Sequence, residues 1–230
     1  MTDQTHNPDE PERFDVGDFL AGKGIDPANL STGGDYTPTP FDHARFRTER
    51  ALGRFAAKVP PAFADARADH SAVRTWLARL LADPAAAPSL LLVGPTGVGK
   101  THQGWGVIRE VVETTARQGR PLRWEAVTHP DLNAQTRVSP DGSHHGVLER
   151  YMQTGLLMLD DIGAGKQSDW TGDTLFRLID YRWAHQLPGI YSTNLIGDPL
   201  VKAVGDRVAS RLGDAFRVAL VGNDRRWRQA

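Results

Sequence analysis

The sequence predicts an α/β fold in which a five-stranded parallel sheet is covered by helices on both faces. From about residue 89 onward, short apolar runs alternate with longer segments of helical periodicity, a pattern typical of parallel sheets. The first apolar run leads into a glycine-rich turn that opens a helix. We predict strands at 89–93, 122–128, 156–160, 189–193 and 216–221, and helices at 100–117, 130–137, 146–153, 172–186 and 198–212.

Two further helices are predicted ahead of the first strand, at residues 42–58 and 70–82. The first has basic character and ends at Val59-Pro60-Pro61, because proline cannot continue a helix and also restricts the residue before it. The second carries its apolar side chains on one face and ends at Asp83-Pro84. Both helices are therefore expected to lie before the sheet begins.

Residues 1–40 contain many Asp, Gly, Pro and Thr residues and few sustained apolar patterns, which predicts a mostly disordered segment. Within it, FDVGDFLAGKGI (14–25) has two interpretations, a plain tail or a short docking motif. We therefore divide the chain into a partly disordered, partly helical N-terminal extension at 1–57, which is a candidate partner-docking region, and a second domain at 58–230.

The composition excludes several classes of protein. The 230 residues are 40% hydrophobic and 24% charged, as in a globular domain, and no apolar run reaches the roughly 18 residues of a membrane helix. Because there is no cysteine and no secretory signal, disulfides and thiolate metal sites are excluded and a cytoplasmic location is predicted. The net charge of −1 combines an acidic start with a basic end, so a nucleic-acid partner is not excluded.

The segment GPTGVGKT matches the phosphate-binding pattern G-x-x-x-x-G-K-[ST]. Its glycines allow backbone N–H groups to surround a phosphate at the N-terminus of a helix, whose dipole favours anions. We expect Lys100 to reach the β- and γ-phosphates of ATP and the Thr101 hydroxyl to bind Mg²⁺. The predicted ATP-binding residues of this segment are Gly94, Pro95, Thr96, Gly97, Val98, Gly99, Lys100, Thr101 and His102.

Two more apolar runs end in polar side chains at positions where a parallel sheet binds its ligands. LLMLDDIG ends in Asp160, which we expect to bind Mg²⁺, and in Asp161, which we expect to orient or deprotonate the attacking water. IYSTN ends in Asn194, which we expect to reach the γ-phosphate and the same water. For each run, a polar turn without a ligand is the alternative.

The segment DRVASRL carries two arginines four residues apart, Arg207 and Arg211, which share one face of the predicted helix. A guanidinium is always charged and stabilises the charge that develops on a transferred phosphoryl group. We assign this catalytic role to Arg211 and keep Arg207 as the alternative. A solvated basic helix is the plainer interpretation of both residues.

Together these motifs resemble the DnaC/IstB branch of the AAA+ ATPases, which contains bacterial and phage helicase loaders and transposition helper ATPases. GPTGVGKT resembles its Walker A motif, LLMLDDIG its Walker B motif, STNL its sensor 1 and DRVASRL its arginine-finger helix. VPPAFADA resembles the lead-in to the ATPase core, and the terminal DRRWR indicates Arg228 as a sensor-2-like nucleotide-binding residue. The resemblance covers about residue 58 to the end, with too few residues after Asn194 for a full helical lid.

The resemblance implies a P-loop AAA+ core that hydrolyses ATP at sites between adjacent subunits of a homo-oligomer. Arg211 of one protomer would face the ATP and Mg²⁺ bound by Lys100 and Asp160 of the next. It also implies a replicative helicase as a partner, docked by residues 1–57, and single-stranded DNA as a second partner. A helicase loader of DNA replication is our leading hypothesis.

The candidate DNA-facing segment is 129–150, which lies between the second and third predicted strands. Its candidate phosphate contacts are Arg137, His144, His145 and Arg150. We interpret the two histidines as a polar loop rather than metal ligands, because no third ligand is spaced nearby.

Three other functions remain open at this point. An IstB-like transposition helper would carry the same ATPase core. A P-loop small-molecule kinase usually needs a lid and acceptor-binding residues, and the motif pairing argues against it. A nucleotide-binding adaptor would bind ATP without turnover.

Overall fold

A computed structural model of the chain describes residues 16–24, 26, 39–137, 146–164, 169–222 and 224. In these ranges the strands are β1 (Leu90–Val93), β2 (Trp124–Thr128), β3 (Leu156–Asp160), β4 (Gly189–Thr193) and β5 (Phe216–Ala219). The helices are α1 (Val16–Ala21), α2 (Pro40–Lys58), α3 (Ser71–Ala82), α4 (Lys100–Arg117), α5 (His129–Thr136), α6 (Val147–Gln153), α7 (Asp169–Ala184), α8 (Asp198–Val204) and α9 (Asp206–Gly213). A short 3-10 turn covers Pro61–Phe63.

The strands form one parallel sheet in the order β2-β3-β4-β1-β5. β1 lies inside the sheet, because Leu90 is in register with Ile190 of β4 on one side and with Phe216 of β5 on the other. All four residues of β1 are buried, as expected for a parallel strand covered on both faces. The predicted α/β fold with a five-stranded parallel sheet is confirmed.

Two apolar clusters enclose the sheet, because alternate side chains of each strand point to opposite faces. Leu90 and Leu92 pack with α2, α3 and α4 on one face, whereas Leu91 and Val93 pack with α5 to α9 on the other. Since all strands run in one direction, their carboxyl ends meet at a single edge of the sheet. Side chains placed just after β1, β3 and β4 are thereby brought together.

Helix α2 belongs to the first layer and packs against α4. Phe55 of α2 is only 3% exposed, and its ring lies 6.2 Å from that of Trp105 in α4 and 5.9 Å from that of Trp124 in β2. The boundary predicted between residues 57 and 58 lies in the last turn of α2. The division of the chain into two domains remains a prediction.

The segment predicted as one helix at 198–212 forms two helices, α8 and α9, which are separated at Gly205. Gly205 has φ 81° and ψ 157°, a conformation that residues with side chains rarely adopt. The prediction of a single long helix is therefore wrong. The apolar periodicity continues across Gly205, although the backbone of this residue is not helical. The other predicted elements lie within about three residues of the observed bounds, the usual uncertainty of helix and strand ends.

In the N-terminal region, α1 lies within the candidate docking motif at 14–25. Lys23, just after α1, forms an ion pair with Glu49 of α2 at 3.7 Å. Residues 1–15 and 27–38 lie outside the described part of the chain. Among the helices that are described, none combines the length and apolar character that a bilayer span needs.

Candidate functional site

The glycine-rich loop connects the end of β1 to the start of α4, and its glycines are required by the backbone. Gly94 has φ 152°, and a Cβ atom there would lie 2.2 Å from the carbonyl oxygen of Leu220. Gly99, the N-cap of α4, has φ 100° in the left-handed region. The loop therefore follows the strand closely and presents the first turn of α4, which starts at Lys100, to a ligand.

The Lys100 side chain is held inside this loop and is 6% exposed. Its Nζ donates to the carbonyl oxygens of Gly94 at 2.8 Å and Pro95 at 2.9 Å, and also to Oδ1 of Asn194. Asn194 follows β4, whose last residue Thr193 is in register with Val93 of β1. The structure thus brings together Lys100 and Asn194, which are distant in the sequence.

Asp160 is the last residue of β3, and its buried carboxylate accepts two hydroxyl hydrogen bonds. Thr101 Oγ1 donates to Oδ2 of Asp160 at 2.8 Å, and Ser192 Oγ donates to Oδ1. Hydroxyl and carboxylate oxygens are the donors that Mg²⁺ prefers. The donor set of Thr101 and Asp160 therefore fits the predicted magnesium site.

Asp161 follows β3 in a left-handed conformation, with φ 56°. A non-glycine residue at positive φ is uncommon and persists where the surrounding structure stabilises it. Here its N–H donates to Ser192 Oγ at 3.0 Å, and the next N–H, of Ile162, donates to the carbonyl oxygen of Ser192 at 2.8 Å. Ser192 therefore positions both aspartates, a role that the sequence interpretation gave to no residue.

His129 supports the same turn from the end of β2 and was also missed as a site residue. Its Nδ1 accepts a hydrogen bond from the N–H of Gly163 at 3.3 Å, and the side chain is 4% exposed. Burial lowers the pKa of the His129 imidazole, because the charged form loses its hydration. A neutral ring keeps the Nδ1 lone pair that Gly163 needs.

The candidate DNA-facing segment is only partly exposed. His129, Leu132 and Leu148 are buried, so the prediction that 129–150 faces DNA is wrong for these three residues. Arg137 and Arg150 are exposed, whereas His144 and His145 lie outside the described residues.

Arg211 lies at the opposite edge of the sheet from Lys100. It borders a groove with Pro88 and Ser89, which precede β1, whereas the phosphate-binding loop follows β1. Its Nε donates to Oδ1 of Asp180 at 3.1 Å, and its guanidinium stacks 3.6 Å from the ring centroid of Trp183. Arg211 is thus held by α7 and does not converge with the other site residues of its own chain.

Arg207 lies one turn before Arg211 and is exposed, with its guanidinium 5.5 Å from the ring centroid of Phe176. Arg228 lies outside the described residues, so its predicted contact with nucleotide remains a prediction. The chain does return to the phosphate-binding loop close to that point, since a Cβ atom on Gly97 would lie 2.0 Å from the carboxylate of Asp224.

The site consists of a phosphate-binding loop between β1 and α4, two carboxylates at the end of β3 and an amide after β4. This arrangement defines a nucleotide-binding P-loop protein of the AAA+ type. Within this class the chain belongs to the family of IstB-like ATP binding proteins, whose family model matches residues 65–209. The family is described as ATP-binding, and the phosphate-binding loop is the part of the observed site that matches this description.

Two curated relatives match parts of the chain. An ATP-binding protein encoded in an insertion sequence of Mycobacterium tuberculosis is 28% identical over 151 residues, which are 66% of this chain and 55% of that protein. The replicative helicase loader DnaI of Bacillus subtilis is 30% identical over 113 residues, which are 48% of this chain and 34% of that protein. The first match therefore spans about half of that relative's own length, and the second about a third.

Solved structures share the fold at lower identity. The crystal structure of the DnaC helicase loader has a TM-score of 0.59 at 21% identity, and the match covers 71% of this chain and all of that one. The replication initiator DnaA, bound to AMPPCP and single-stranded DNA, has a TM-score of 0.58 at 17% identity, covering 74% of this chain and 54% of that one. These likenesses show that the fold is shared.

Proposed function

We propose that this chain is an ATPase that assembles into a homo-oligomer and loads a replicative helicase onto single-stranded DNA, with ATP hydrolysed between subunits. The observation that carries the proposal is the convergence of Lys100, Asp160 and Asn194 at one edge of the sheet while Arg211 lies at the other. One chain therefore supplies the phosphate-binding half of a site through Lys100, Asp160 and Asn194. At its other edge it offers the Arg211 guanidinium to the site of a neighbouring subunit.

Each converging residue has a role that its contacts support. Lys100, already held over the loop carbonyls, binds the β- and γ-phosphates when they enter. Thr101 and Asp160 would hold Mg²⁺, which would supply positive charge to neutralise the phosphates. Asp161 orients and accepts a proton from the attacking water, and Asn194 aligns that water with the γ-phosphate.

The catalytic cation is assigned to Arg211, which acts in trans. Its guanidinium is partly exposed and stacked on Trp183, so it is oriented before any partner arrives. A contact with the γ-phosphate of an adjacent subunit would stabilise the charge that develops during phosphoryl transfer. Arg207 is the second candidate, because it is exposed on the same helix.

A transposition helper is the second candidate function. The family model and the insertion-sequence relative favour it, whereas the DnaI relative favours helicase loading. The ATPase core does not separate the two, since both relatives match it. The N-terminal extension, residues 1–57, is where we expect partner choice to be encoded.

Co-purification from the native host tests the choice between these functions. We expect the tagged full chain to retain the host's replicative helicase when ATP is present and to release it after the Lys100→Ala change. Absence of the helicase, together with stimulation of a transposase, would instead assign the chain to transposition. A strictly monomeric protein that transfers phosphate to a small molecule would contradict both.

ATP turnover separates an ATPase from a nucleotide-binding adaptor. Wild-type protein is expected to release phosphate from ATP, and Asp161→Ala is expected to bind ATP without releasing it. Equal turnover by the two proteins would remove Asp161 from the mechanism, and no turnover by either assembled protein would indicate an adaptor.

A further inference from the structure

Helices α7 and α9 face each other along two matching rows of side chains. Within each row the residues are three or four positions apart, so they lie on one face of their helix. The rows are Phe176, Asp180 and Trp183 on α7, and Arg207, Arg211 and Asp214 on α9 and at its C-cap. Each arginine of α9 lies over one aromatic ring of α7, but the two are held to different degrees.

Arg211 is fixed at two points. Its Nε donates to Oδ1 of Asp180 at 3.1 Å, and its Cζ lies 3.6 Å from the ring centroid of Trp183. A guanidinium carries five N–H donors, and all but one of them lie on its two terminal nitrogens. Among the described residues, no acceptor is hydrogen-bonded to the terminal nitrogens of Arg211. The group is therefore oriented by its face and by Nε, and its outer edge is left for a ligand.

Trp183 is itself held in place, although 45% of the residue is exposed. Its indole Nε1 donates to Oδ2 of Asp214 at 2.9 Å, which ties the ring to the end of α9. Rotation of the ring away from Arg211 would break this hydrogen bond. Because nearly half of the residue remains in water, replacing it should cost the fold less than replacing a buried tryptophan would.

Arg207 is held less firmly than Arg211. Its guanidinium lies 5.5 Å from the ring centroid of Phe176, compared with 3.6 Å for Arg211 and Trp183. Within the described part of the chain, Arg207 forms neither a hydrogen bond nor an ion pair, and it is exposed. A long side chain with so few contacts keeps many rotamers and loses that freedom when it binds.

We propose that Asp180 and Trp183 are positioning residues for ATP hydrolysis, which present the terminal nitrogens of Arg211 to the γ-phosphate bound by a neighbouring subunit. Two terminal nitrogens form a fork that matches two oxygens of a phosphoryl group. A guanidinium that is fixed before the encounter loses little freedom on contact. The same contacts select Arg211 over Arg207. The inference rests on the proposed function, since it requires a site shared between subunits.

The opposite role for Asp180, which would be to hold Arg211 back from the phosphate, fits the geometry less well. A carboxylate that withheld the guanidinium would engage its outer edge, as in a two-point pair between arginine and a carboxylate. Asp180 instead accepts from Nε, the guanidinium nitrogen nearest the main chain. Loss of Asp180 is therefore expected to slow ATP turnover and not to raise it.

The test is steady-state ATP hydrolysis by the assembled full chain, with urea unfolding to show that each variant is folded. Trp183→Leu and Asp180→Ala are each expected to lower kcat by about tenfold or more, because a misplaced group loses its contact in the transition state. The KM for ATP should stay within about twofold of wild type. Both residues lie beside Arg211 and not beside the phosphate-binding loop of their own chain.

Two further variants make the result specific. Asp180→Asn should retain most of the turnover, because its amide oxygen still accepts a hydrogen bond from Nε of Arg211. Phe176→Leu is the matched control, since it removes the aromatic ring that lies against Arg207 on the same helix. It should hydrolyse ATP like wild type.

Mixed assemblies show in which subunit Trp183 acts. A mixture of Trp183→Leu and Asp161→Ala should recover turnover, because some junctions then join an intact Asp161 to an intact Trp183 and Arg211. A mixture of Trp183→Leu and Arg211→Ala should not recover, since neither protein offers an oriented arginine. A Trp183→Leu protein that was merely damaged would be recovered in neither mixture.

The outcomes separate this inference from the proposed function. Wild-type kcat in Trp183→Leu or Asp180→Ala, beside an inactive Arg211→Ala, would overturn the positioning role and leave the shared site. A higher kcat in Asp180→Ala would also overturn it, as would a loss in Phe176→Leu equal to that in Trp183→Leu. The same holds if Trp183→Leu and Asp161→Ala co-assemble without recovery. Full turnover by Arg211→Ala would contradict the proposed function itself.

Discussion

At the residue scale, Lys100 is the buried ammonium group to which we assign the affinity for phosphate. Its Nζ already has three oxygen acceptors, and the residue is 6% exposed. Because charge-assisted contacts to phosphate are strong, we expect Lys100→Ala to weaken ATP binding by about a hundredfold or more. Calorimetric titration with ATP measures this effect.

Lys202→Ala is the matched control, since Lys202 is an exposed lysine on α8. It should bind ATP like wild type. Undiminished affinity of the Lys100→Ala protein would show that the glycine-rich loop is not the phosphate site.

His129 predicts a pH dependence of stability. Burial lowers the pKa of His129 in the folded protein below its ordinary value of 6.5, so the unfolded chain takes up the proton first as the pH falls. The stability that the neutral ring contributes is therefore complete above pH 6.5 and is lost below it. Urea unfolding at pH 7 and at about pH 5 should show a smaller decrease for His129→Asn than for wild type.

Asn places an acceptor oxygen close to the position of Nδ1 and does not titrate, so the hydrogen bond from Gly163 is retained. His185→Asn, at an exposed position, should keep the wild-type pH dependence. An unchanged decrease in the His129→Asn protein would show that this imidazole does not account for the effect.

The residues predicted from the sequence are those whose role follows from local spacing. Lys100 and Asp160 belong to contiguous motifs, so a strand, a turn and a charge are visible together. Ser192 and His129 could not be found in this way, because their roles depend on the register of neighbouring strands and on burial. A polar residue at the end of a predicted strand was the available signal for both.

At the scale of elements, Arg182 connects α6, α7 and β4. It is fully buried, and its guanidinium donates to the carbonyl oxygens of Tyr151 and Thr154 at the end of α6 and of Pro188 before β4. The last carbonyls of a helix have no partner within the helix, so these bonds satisfy them in the interior.

We expect Arg182→Ala to lower the free energy of unfolding by roughly 3 kcal/mol, since it leaves buried carbonyls without donors. Arg177→Ala, at an exposed position on the same helix, should change it by less than about 0.5 kcal/mol. Denaturant unfolding of the two variants compares them. A loss for Arg182→Ala no larger than that for Arg177→Ala would refute the connecting role.

Most element types and bounds were predictable, because strands and helices differ in the period of their apolar residues. The break at Gly205 was not, since Val204 and Val208 keep the apolar spacing of a continuous helix. Glycine is tolerated within helices at modest cost, so its presence alone did not indicate a boundary. The position of α2 against α4 likewise depends on packing that the sequence does not display.

At the scale of the whole molecule, the parallel sheet separates two sets of candidate site residues. Parallel strands place Lys100, Asp160 and Asn194 at the carboxyl edge, and α9 leads into β5 from the amino edge, where Arg211 lies. The two edges are separated by the length of the strands, about 13 Å for four residues. Arg211 is therefore distant from the phosphate-binding loop of its own chain, and the role that we propose for it requires a second subunit.

Head-to-tail contact between identical subunits would join the two edges, because each subunit then offers one edge to each neighbour. The parallel sheet was predictable from the alternating elements, and so was the meeting of the three motifs at its carboxyl edge, whereas the order of the strands was not predicted. The orientation of Arg211 toward Asp180 and Trp183 was not, since it depends on the packing of α7 against α9.

Mixing two inactive variants tests the shared site most directly. Arg211→Ala and Asp161→Ala are each expected to bind ATP and to lack hydrolysis when assayed alone. In an equal mixture, sites with an intact Asp161 next to an intact Arg211 form again, so phosphate release should return to about a quarter of the wild-type rate. A mixture that stays inactive although the two variants co-assemble, or an Arg211→Ala protein that hydrolyses ATP at the wild-type rate, would contradict a site completed by the neighbouring subunit.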